Sequence, residues 1–150
     1  MRIRIPFNLV SMQEDGYHCI IEGAVNGNPL LMVLDTGASR SCFDIAFLQQ
    51  FLEEQSIQTN DSMTSGIGTN SLNSFITVLD EFSMGGSFVL EKYQAVGLDL
   101  THIHEAYKQV GLPEVNGIIG ADILVRHHAI IDYRKREITL NSRPSRKRIR

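Results

Sequence analysis

The sequence lacks the features on which small disulfide-rich, metal-bound and membrane-spanning proteins depend. Its 150 residues include only two cysteines, Cys19 and Cys42, too few for a disulfide framework and without the paired spacing of a zinc site. We therefore expect both to be reduced thiols in the core. No apolar run approaches the ~20 residues of a membrane span, and residues 1–6 have no apolar signal region behind their charges. We expect a soluble, unexported, cytoplasmic chain.

Positive charge is scarce outside the last eight residues. Five of the 14 lysines and arginines lie in residues 143–150, whereas all 17 acidic residues lie in residues 1–142, which leaves that segment with a formal charge of −8. So acidic a segment offers no surface for a phosphate backbone, and we expect no nucleic-acid partner. At 43% apolar and 21% charged residues, the composition predicts one globular domain over residues 1–142. Residues 143–150 are expected to form a basic, disordered tail, with a phosphate or membrane-surface role as the alternative.

Alternating apolar residues predict a mostly β fold. The alternation begins at residues 3–9, where Pro6 indicates an edge strand because proline cannot donate a hydrogen bond to a neighbouring strand. Residues 18–25 and 30–34 are predicted strands on either side of Asn26-Gly27, a strong two-residue hairpin signal. The second of these strands is apolar on both faces, so we expect it to be buried.

Helices contribute little to the predicted fold. Apolar spacing predicts a short amphipathic helix over residues 43–54 and a second helix over residues 101–110, with Thr101 as the N-terminal cap. Gly85-Gly86 marks another hairpin. Many short strands without regular alternation with long helices indicate a barrel or closed sandwich rather than a doubly wound sheet.

The most specific motif directly follows the buried strand. An apolar strand that runs into Asp-Thr-Gly places a carboxylate on a tight turn, where glycine permits close backbone approach and hydroxyl side chains can donate hydrogen bonds. The motif comprises Leu34, Asp35, Thr36, Gly37, Ala38 and Ser39.

This motif resembles the active-site loop of the retropepsin-like aspartic peptidases. A Gly66-Ile67-Gly68 turn and an Ile118-Ile119-Gly120 segment follow in the order found in that family, so the resemblance extends over residues 18–141. It implies a closed β-barrel of the acid-protease type with two or three short helices. The helix at residues 101–110 departs from the viral pattern and is closer to bacterial members.

The resemblance also implies roles for individual residues. Asp35 would be the catalytic carboxylate, and the hydroxyl of Thr36 would brace the loop against its symmetry mate, with Gly37, Ala38 and Ser39 supporting the loop. The Gly66-Ile67-Gly68 turn would be a flap that covers the substrate. A plain hairpin would look much the same at that position.

Other polar residues have structural interpretations. Asp122 is expected to cap a short helix or to accept hydrogen bonds that brace the loop. The adjacent pair His127-His128 would point to opposite faces of a strand, and His102 and His104 do not share a helix face. We therefore expect no metal site.

The chemistry of aspartic peptidases requires two carboxylates that share one proton. The chain carries one such loop, and a two-lobed enzyme would need roughly twice its length, since domains run to about 100–150 residues. The sequence therefore predicts a homodimeric aspartic endopeptidase that acts on peptide or protein substrates without a cofactor. The alternative is a non-catalytic dimeric module on the same fold that binds an extended peptide as an added strand.

Overall fold

The computed structural model describes residues 1–14, 16–59 and 74–144. Within these ranges the chain forms eleven strands, three α-helices and one 3₁₀ turn at Glu54–Ser56. The strands are β1 (Arg2–Pro6), β2 (Asn8–Met12), β3 (Gly16–Val25), β4 (Asn28–Leu34), β5 (Cys42–Asp44), β6 (Gln58–Thr59), β7 (Phe75–Met84), β8 (Phe88–Leu98), β9 (Gly117–Ile119), β10 (Ile130–Asp132) and β11 (Glu137–Asn141). The helices are α1 (Ile45–Gln49), α2 (Thr101–Gln109) and α3 (Ala121–Arg126). No helix in these ranges is long and apolar enough to cross a membrane.

The larger sheet closes on itself. Its strand order is β2-β3-β4-β9-β5-β8-β7-β6, and an additional pairing between β3 and β7 joins six of these strands into a barrel. Closure removes exposed edges within the barrel, and β2 and β6 extend it at either side. A smaller sheet has the order β1-β11-β10. The mostly β, closed-barrel fold with three short helices is therefore confirmed.

The barrel encloses an apolar core that a second, smaller cluster extends towards α2. In the barrel, the rings of Phe43 and Phe82 are fully buried and meet edge to face, with centroids 5.1 Å apart. Both cysteines are free and buried, as predicted. The smaller cluster joins one face of β3 and β4 to α2 and its following loop through Ile20, Val33, Tyr107 and Val115.

The predicted hairpins at Asn26-Gly27 and Gly85-Gly86 and the edge strand at Pro6 are confirmed, but the predicted strand over residues 3–9 is divided into β1 and β2, which lie in different sheets. Asn26 and Gly27 adopt φ values of 48° and 81°, as a type I′ turn between β3 and β4 requires. Gly85 and Gly86, at 58° and 74°, likewise join β7 to β8. Pro6 lies at the end of β1, an edge of the smaller sheet, where its missing N–H leaves no partner strand unsatisfied.

The predicted helix over residues 43–54 is wrong at both ends. Phe43 belongs to β5, which pairs with β9 on one side and β8 on the other. Only Ile45–Gln49 are α-helical. Barrel closure requires a strand at this position, and that non-local pairing outweighs the local helical spacing of the apolar side chains.

The second predicted helix is confirmed as α2, with a different N-terminus. Thr101 is the first helical residue rather than the cap. The Asp99 carboxylate accepts hydrogen bonds from the backbone N–H and the hydroxyl of Thr101, and these bonds lower the pKa of Asp99. Gly111, at φ 74°, follows the helix where a left-handed conformation is needed.

Candidate active site

The carboxylate of Asp35 lies at the end of a barrel strand. Its backbone N–H donates to the carbonyl of Ile119 at 3.0 Å, which continues the parallel pairing of β4 with β9 by one residue. The side chain is exposed, and its Oδ1 accepts the N–H of Gly37 at 2.9 Å. The carbonyl of Asp35 in turn accepts the N–H of Ala38 at 3.1 Å. These bonds hold an exposed carboxylate on a tight turn.

Hydrogen bonds from α3 brace the other end of this turn. Oδ1 of Asp122 accepts the backbone N–H and the hydroxyl of Ser41, at 2.8 and 2.7 Å, and the N–H of Ile123 at 2.9 Å. The Ser41 hydroxyl also accepts the N–H of Gly120 at 2.9 Å. We call this set, formed by Ser41, Gly120 and Asp122, the bracing network. Asp122 is thus a loop-bracing acceptor, as predicted.

Gly120 allows the loop and α3 to approach each other closely. A Cβ at this position would lie 2.7 Å from the carbonyl oxygen of Ala38 and 2.7 Å from the carbonyl carbon of Arg40. Both atoms belong to the backbone of the loop, which cannot move aside as a side chain can. The same approach allows the N–H of Ala121 to donate to the carbonyl of Ala38 at 2.8 Å.

An open groove of about 520 Å³ begins at Asp35 and Thr36. Its walls are formed by β3, the end of β4, β9, α2, β10 and the turn after β10. Burial raises the pKa of Tyr107 on the α2 side of the groove, and the negative charge of Asp35 raises it further. Asp35 and Tyr107 line the same groove.

Cys42 begins β5, directly after the loop, and three aspartates act on it electrostatically. Burial, followed by the charges of Asp122, Asp35 and Asp44, raises its pKa to about 12. The thiol is therefore protonated at neutral pH and acts as a small apolar group in the core. It is not available as a nucleophile for the groove.

The structure describes the predicted loop residues but not the predicted flap. Thr36, Gly37 and Ser39 are exposed beside Asp35, and Ala38 is half-buried. The predicted flap, Gly66-Ile67-Gly68, lies outside the described residues, as does the tail from residue 145 onwards.

Sequence reasoning missed Ser41, whose side chain is 1% exposed. The sequence feature that could have identified Ser41 is its position as a small hydroxyl residue between an exposed loop and the buried strand β5. Of the histidines, His127 is buried and its Nδ1 bonds to the carbonyl of Asn141 at 2.8 Å, which is a structural role.

The barrel and the Asp-Thr-Gly loop together define the fold of a retropepsin-like aspartic protease, and comparisons with known proteins agree. The family model described as aspartyl protease matches residues 21–123. A retropepsin-like aspartic protease from Rickettsia conorii superposes with a TM-score of 0.53 at 17% identity, over 93% of this chain and 88% of that one. The retroviral protease-like domain of Ddi1 from Leishmania major superposes with a TM-score of 0.54 at 16% identity, over 87% of this chain and 89% of that one.

The chain belongs to the aspartyl protease family, because the family model matches more than half of its length. This confirms the resemblance found in the sequence. A comparison with curated proteins found no match. At these identities the two solved structures establish the fold, whereas the reaction depends on the groove and its residues.

Proposed function

We propose that this chain is an aspartic endopeptidase in which Asp35 and the Asp35 of a second, identical subunit activate a water molecule for peptide hydrolysis. The observation that carries the proposal is the exposed Asp35 carboxylate, fixed on a hydrogen-bonded turn at the mouth of an open groove. Membership of the aspartyl protease family supports it. Retropepsin-like proteins are typically dimeric, which supports the second subunit.

The proposed reaction divides two tasks between two carboxylates. Like charges so close together cannot both ionise, so the pair holds one proton. The ionised carboxylate takes a proton from water, and the resulting hydroxide attacks the carbonyl carbon of the scissile bond. The protonated carboxylate donates its proton to the carbonyl oxygen, and collapse of the tetrahedral species with proton transfer to nitrogen releases the two fragments. None of these steps needs a metal or a cofactor.

The bracing network has a role in this proposal that differs from catalysis. A dyad requires both carboxylates to be held within a fraction of an ångström of the productive geometry. Asp35 is on a turn that would be mobile if it were fixed at one end only. Bonds to Ile119 at its start and from Ser41 to α3 at its end fix the turn on both sides.

Replacing Asp35 tests the proposal. Asp35→Asn should abolish cleavage of a mixed peptide library between pH 4 and 7 while leaving the melting temperature unchanged within a few degrees, because the exposed side chain contributes little to packing. Asp80→Asn is the matched control, since Asp80 is an exposed carboxylate on β7. Near wild-type turnover in Asp35→Asn would refute the proposal. Peptide binding by a wild-type chain that never cleaves would indicate the non-catalytic module instead.

The dimer is tested by dilution. If each subunit supplies half of the site, specific activity and mass by light scattering should fall together as the protein is diluted through its dissociation constant. Thr36→Val keeps the shape of the exposed Thr36 side chain and removes its hydroxyl, so it should shift both transitions to higher protein concentration. An active species of monomer mass would contradict the shared dyad.

A further inference from the structure

A second cavity, of about 690 Å³, lies on the α3 side of the loop. Its walls are formed by residues 39–41, which follow the Asp35 turn, by β8 and α3, and by Ile76 of β7. The described residues that line this cavity are all different from those that line the groove at Asp35. A ligand can therefore occupy the cavity without entering the groove.

Three positively charged side chains from three different elements line this cavity. Arg40 lies in the loop, Lys92 belongs to β8, and Arg126 is the last residue of α3, and all three are exposed. Residues 1–142 contain only nine lysines and arginines and have a formal charge of −8. A third of the positive charges in an acidic segment therefore surround one cavity, where their potentials add. We call it the basic cavity.

The three cations have no anionic partner among the described residues. Within that part of the chain, ion pairs within 4.0 Å involve only His104. Two carboxylates, Glu91 and Asp122, also line the basic cavity, so its charged side chains comprise three cations and two anions. Oδ1 of Asp122 already accepts the hydrogen bonds of the bracing network. The guanidinium and ammonium groups thus keep their donors free for an anion from outside the molecule.

The backbone at Lys92 adopts an unusual conformation. Lys92 lies inside β8 with a φ of 47°, in the left-handed region that residues with a Cβ rarely occupy. A regular strand presents alternate side chains to one surface, whereas all five residues from 90 to 94 line the basic cavity. The interruption at Lys92 thus turns the side chains on both sides of it towards the cavity. Backbone strain of this kind clusters at functional positions, which supports a binding role here.

The remaining walls indicate the chemistry of the occupant. Ile76, Leu90, Val96 and Ile123 add apolar surface, which a small inorganic anion would leave exposed to water. A polypeptide segment rich in glutamate has carboxylates for the cations and methylene groups for these walls. A nucleic acid would bring a long row of negative charges against a segment that is itself at −8. The basic cavity therefore favours an acidic polypeptide.

We propose that the basic cavity is a docking site for an acidic segment of another protein, with Arg40, Lys92 and Arg126 binding its carboxylates. This inference goes beyond the proposed peptidase function, because docking here requires neither Asp35 nor cleavage. Where the docked protein is also a substrate, the site would hold it at a distance from the scissile bond. Binding should weaken with salt, because ions screen exposed charges.

Fluorescence anisotropy of the full chain measures the docking. The probe is a fluorescein-labelled decapeptide that alternates glutamate with glycine, and its counterpart has glutamine in place of every glutamate. In about 50 mM NaCl at pH 7, the glutamate peptide should bind about tenfold or more tightly than the glutamine peptide. Raising the salt to about 300 mM should weaken its binding several-fold.

Matched variants locate the site. Arg40→Gln combined with Lys92→Gln should weaken binding of the glutamate peptide by about tenfold or more. Arg134→Gln combined with Lys135→Gln makes the same change of charge on the exposed turn after β10, outside the basic cavity, and should stay within about threefold of wild type. Lys92→Gly tolerates the left-handed backbone, so it should weaken binding about threefold with an unchanged melting temperature. This single variant decides the test if the double variant does not fold.

Other outcomes would overturn the docking site. If wild type does not bind the glutamate peptide, or if the two double variants weaken binding equally, the cavity does not select an acidic segment. Weakening by Arg146→Gln with Lys147→Gln, and not by the cavity variants, would assign binding to the C-terminal cations. Displacement by about 1 mM inorganic phosphate, or tighter binding of a single-stranded oligonucleotide, would show a different ligand class. Because no measurement depends on cleavage, failure of the peptidase proposal would leave this test intact.

Discussion

Ser41→Ala should destabilise the protein far more than a serine-to-alanine change normally does. The substitution removes one oxygen atom and adds no steric strain. That oxygen donates to Oδ1 of Asp122 at 2.7 Å and accepts the N–H of Gly120 at 2.9 Å. Asp122 retains two donors, the backbone N–H groups of Ser41 and Ile123. The buried N–H of Gly120 is left without its acceptor.

The size of the effect follows from these two losses. A hydrogen bond to a charged group contributes about 1.5–3 kcal/mol, and a buried donor left unpaired costs about 1–3 kcal/mol. Because Asp122 keeps part of its hydrogen bonding, we expect a total loss of about 2–4 kcal/mol in the free energy of unfolding. For a domain of this size, that corresponds to a melting temperature lower by roughly 5–15 °C.

Urea unfolding at pH 7, followed by circular dichroism, measures the loss. Ser39→Ala is the matched control, because it makes the same chemical change at an exposed position of the same loop and should stay within about 0.5 kcal/mol of wild type. Combined with Asp122→Ala, Ser41→Ala should cost less than it does alone, since its main partner is already absent. A loss for Ser41→Ala no greater than that for Ser39→Ala would refute the bracing network.

Two further predictions concern buried titratable groups. Burial lowers the pKa of His127, so the unfolded chain binds the proton more tightly and stability should fall as the pH drops below about 6.5. The difference between the urea midpoints at pH 7.5 and pH 5.5 should be smaller in His127→Gln than in wild type. Equal differences in the two proteins would contradict the assignment of this pH dependence to His127. Cys42, with its pKa raised to about 12, is thiolate in only about one molecule in 10,000 at pH 8. Mass spectrometry should find it unmodified by iodoacetamide until urea unfolds the chain, and rapid native alkylation would show that it is accessible.

Features whose cause lies within a few residues could be predicted from the sequence. The Asn26-Gly27 and Gly85-Gly86 turns need backbone conformations that those residues adopt readily, so their hairpins were predictable. Pro6 indicated an edge strand for the same local reason, since a missing N–H is tolerated only where no partner strand requires it. The Asp-Thr-Gly turn at Asp35 is likewise specified by its own residues.

Features that depend on distant partners could not be predicted in this way. Phe43 has neighbours with helical spacing, yet it lies in a strand because β8 and β9 flank that position in the barrel. Thr101 fits the pattern of a cap. However, the Asp99 carboxylate accepts the N–H of Thr101, and the helix begins at Thr101, one residue earlier than it would if Thr101 were the cap. In both cases the local pattern was real, and a competing partner outside the pattern determined the result.

The candidate site contains features that are specified locally and features that depend on distant partners. The motif predicted that the Asp35 carboxylate lies on a turn at the end of a strand. Asp122 was predicted to accept hydrogen bonds, but its partner Ser41 is 81 residues away in the chain. The hydrogen bond between His18 and Tyr107 joins residues 89 apart. A short motif can therefore identify the candidate carboxylate, whereas the contacts that hold its turn in place exist only once the barrel closes. Substitutions at Ser41 should accordingly act on stability and on the placement of the loop, with Asp35 itself unchanged.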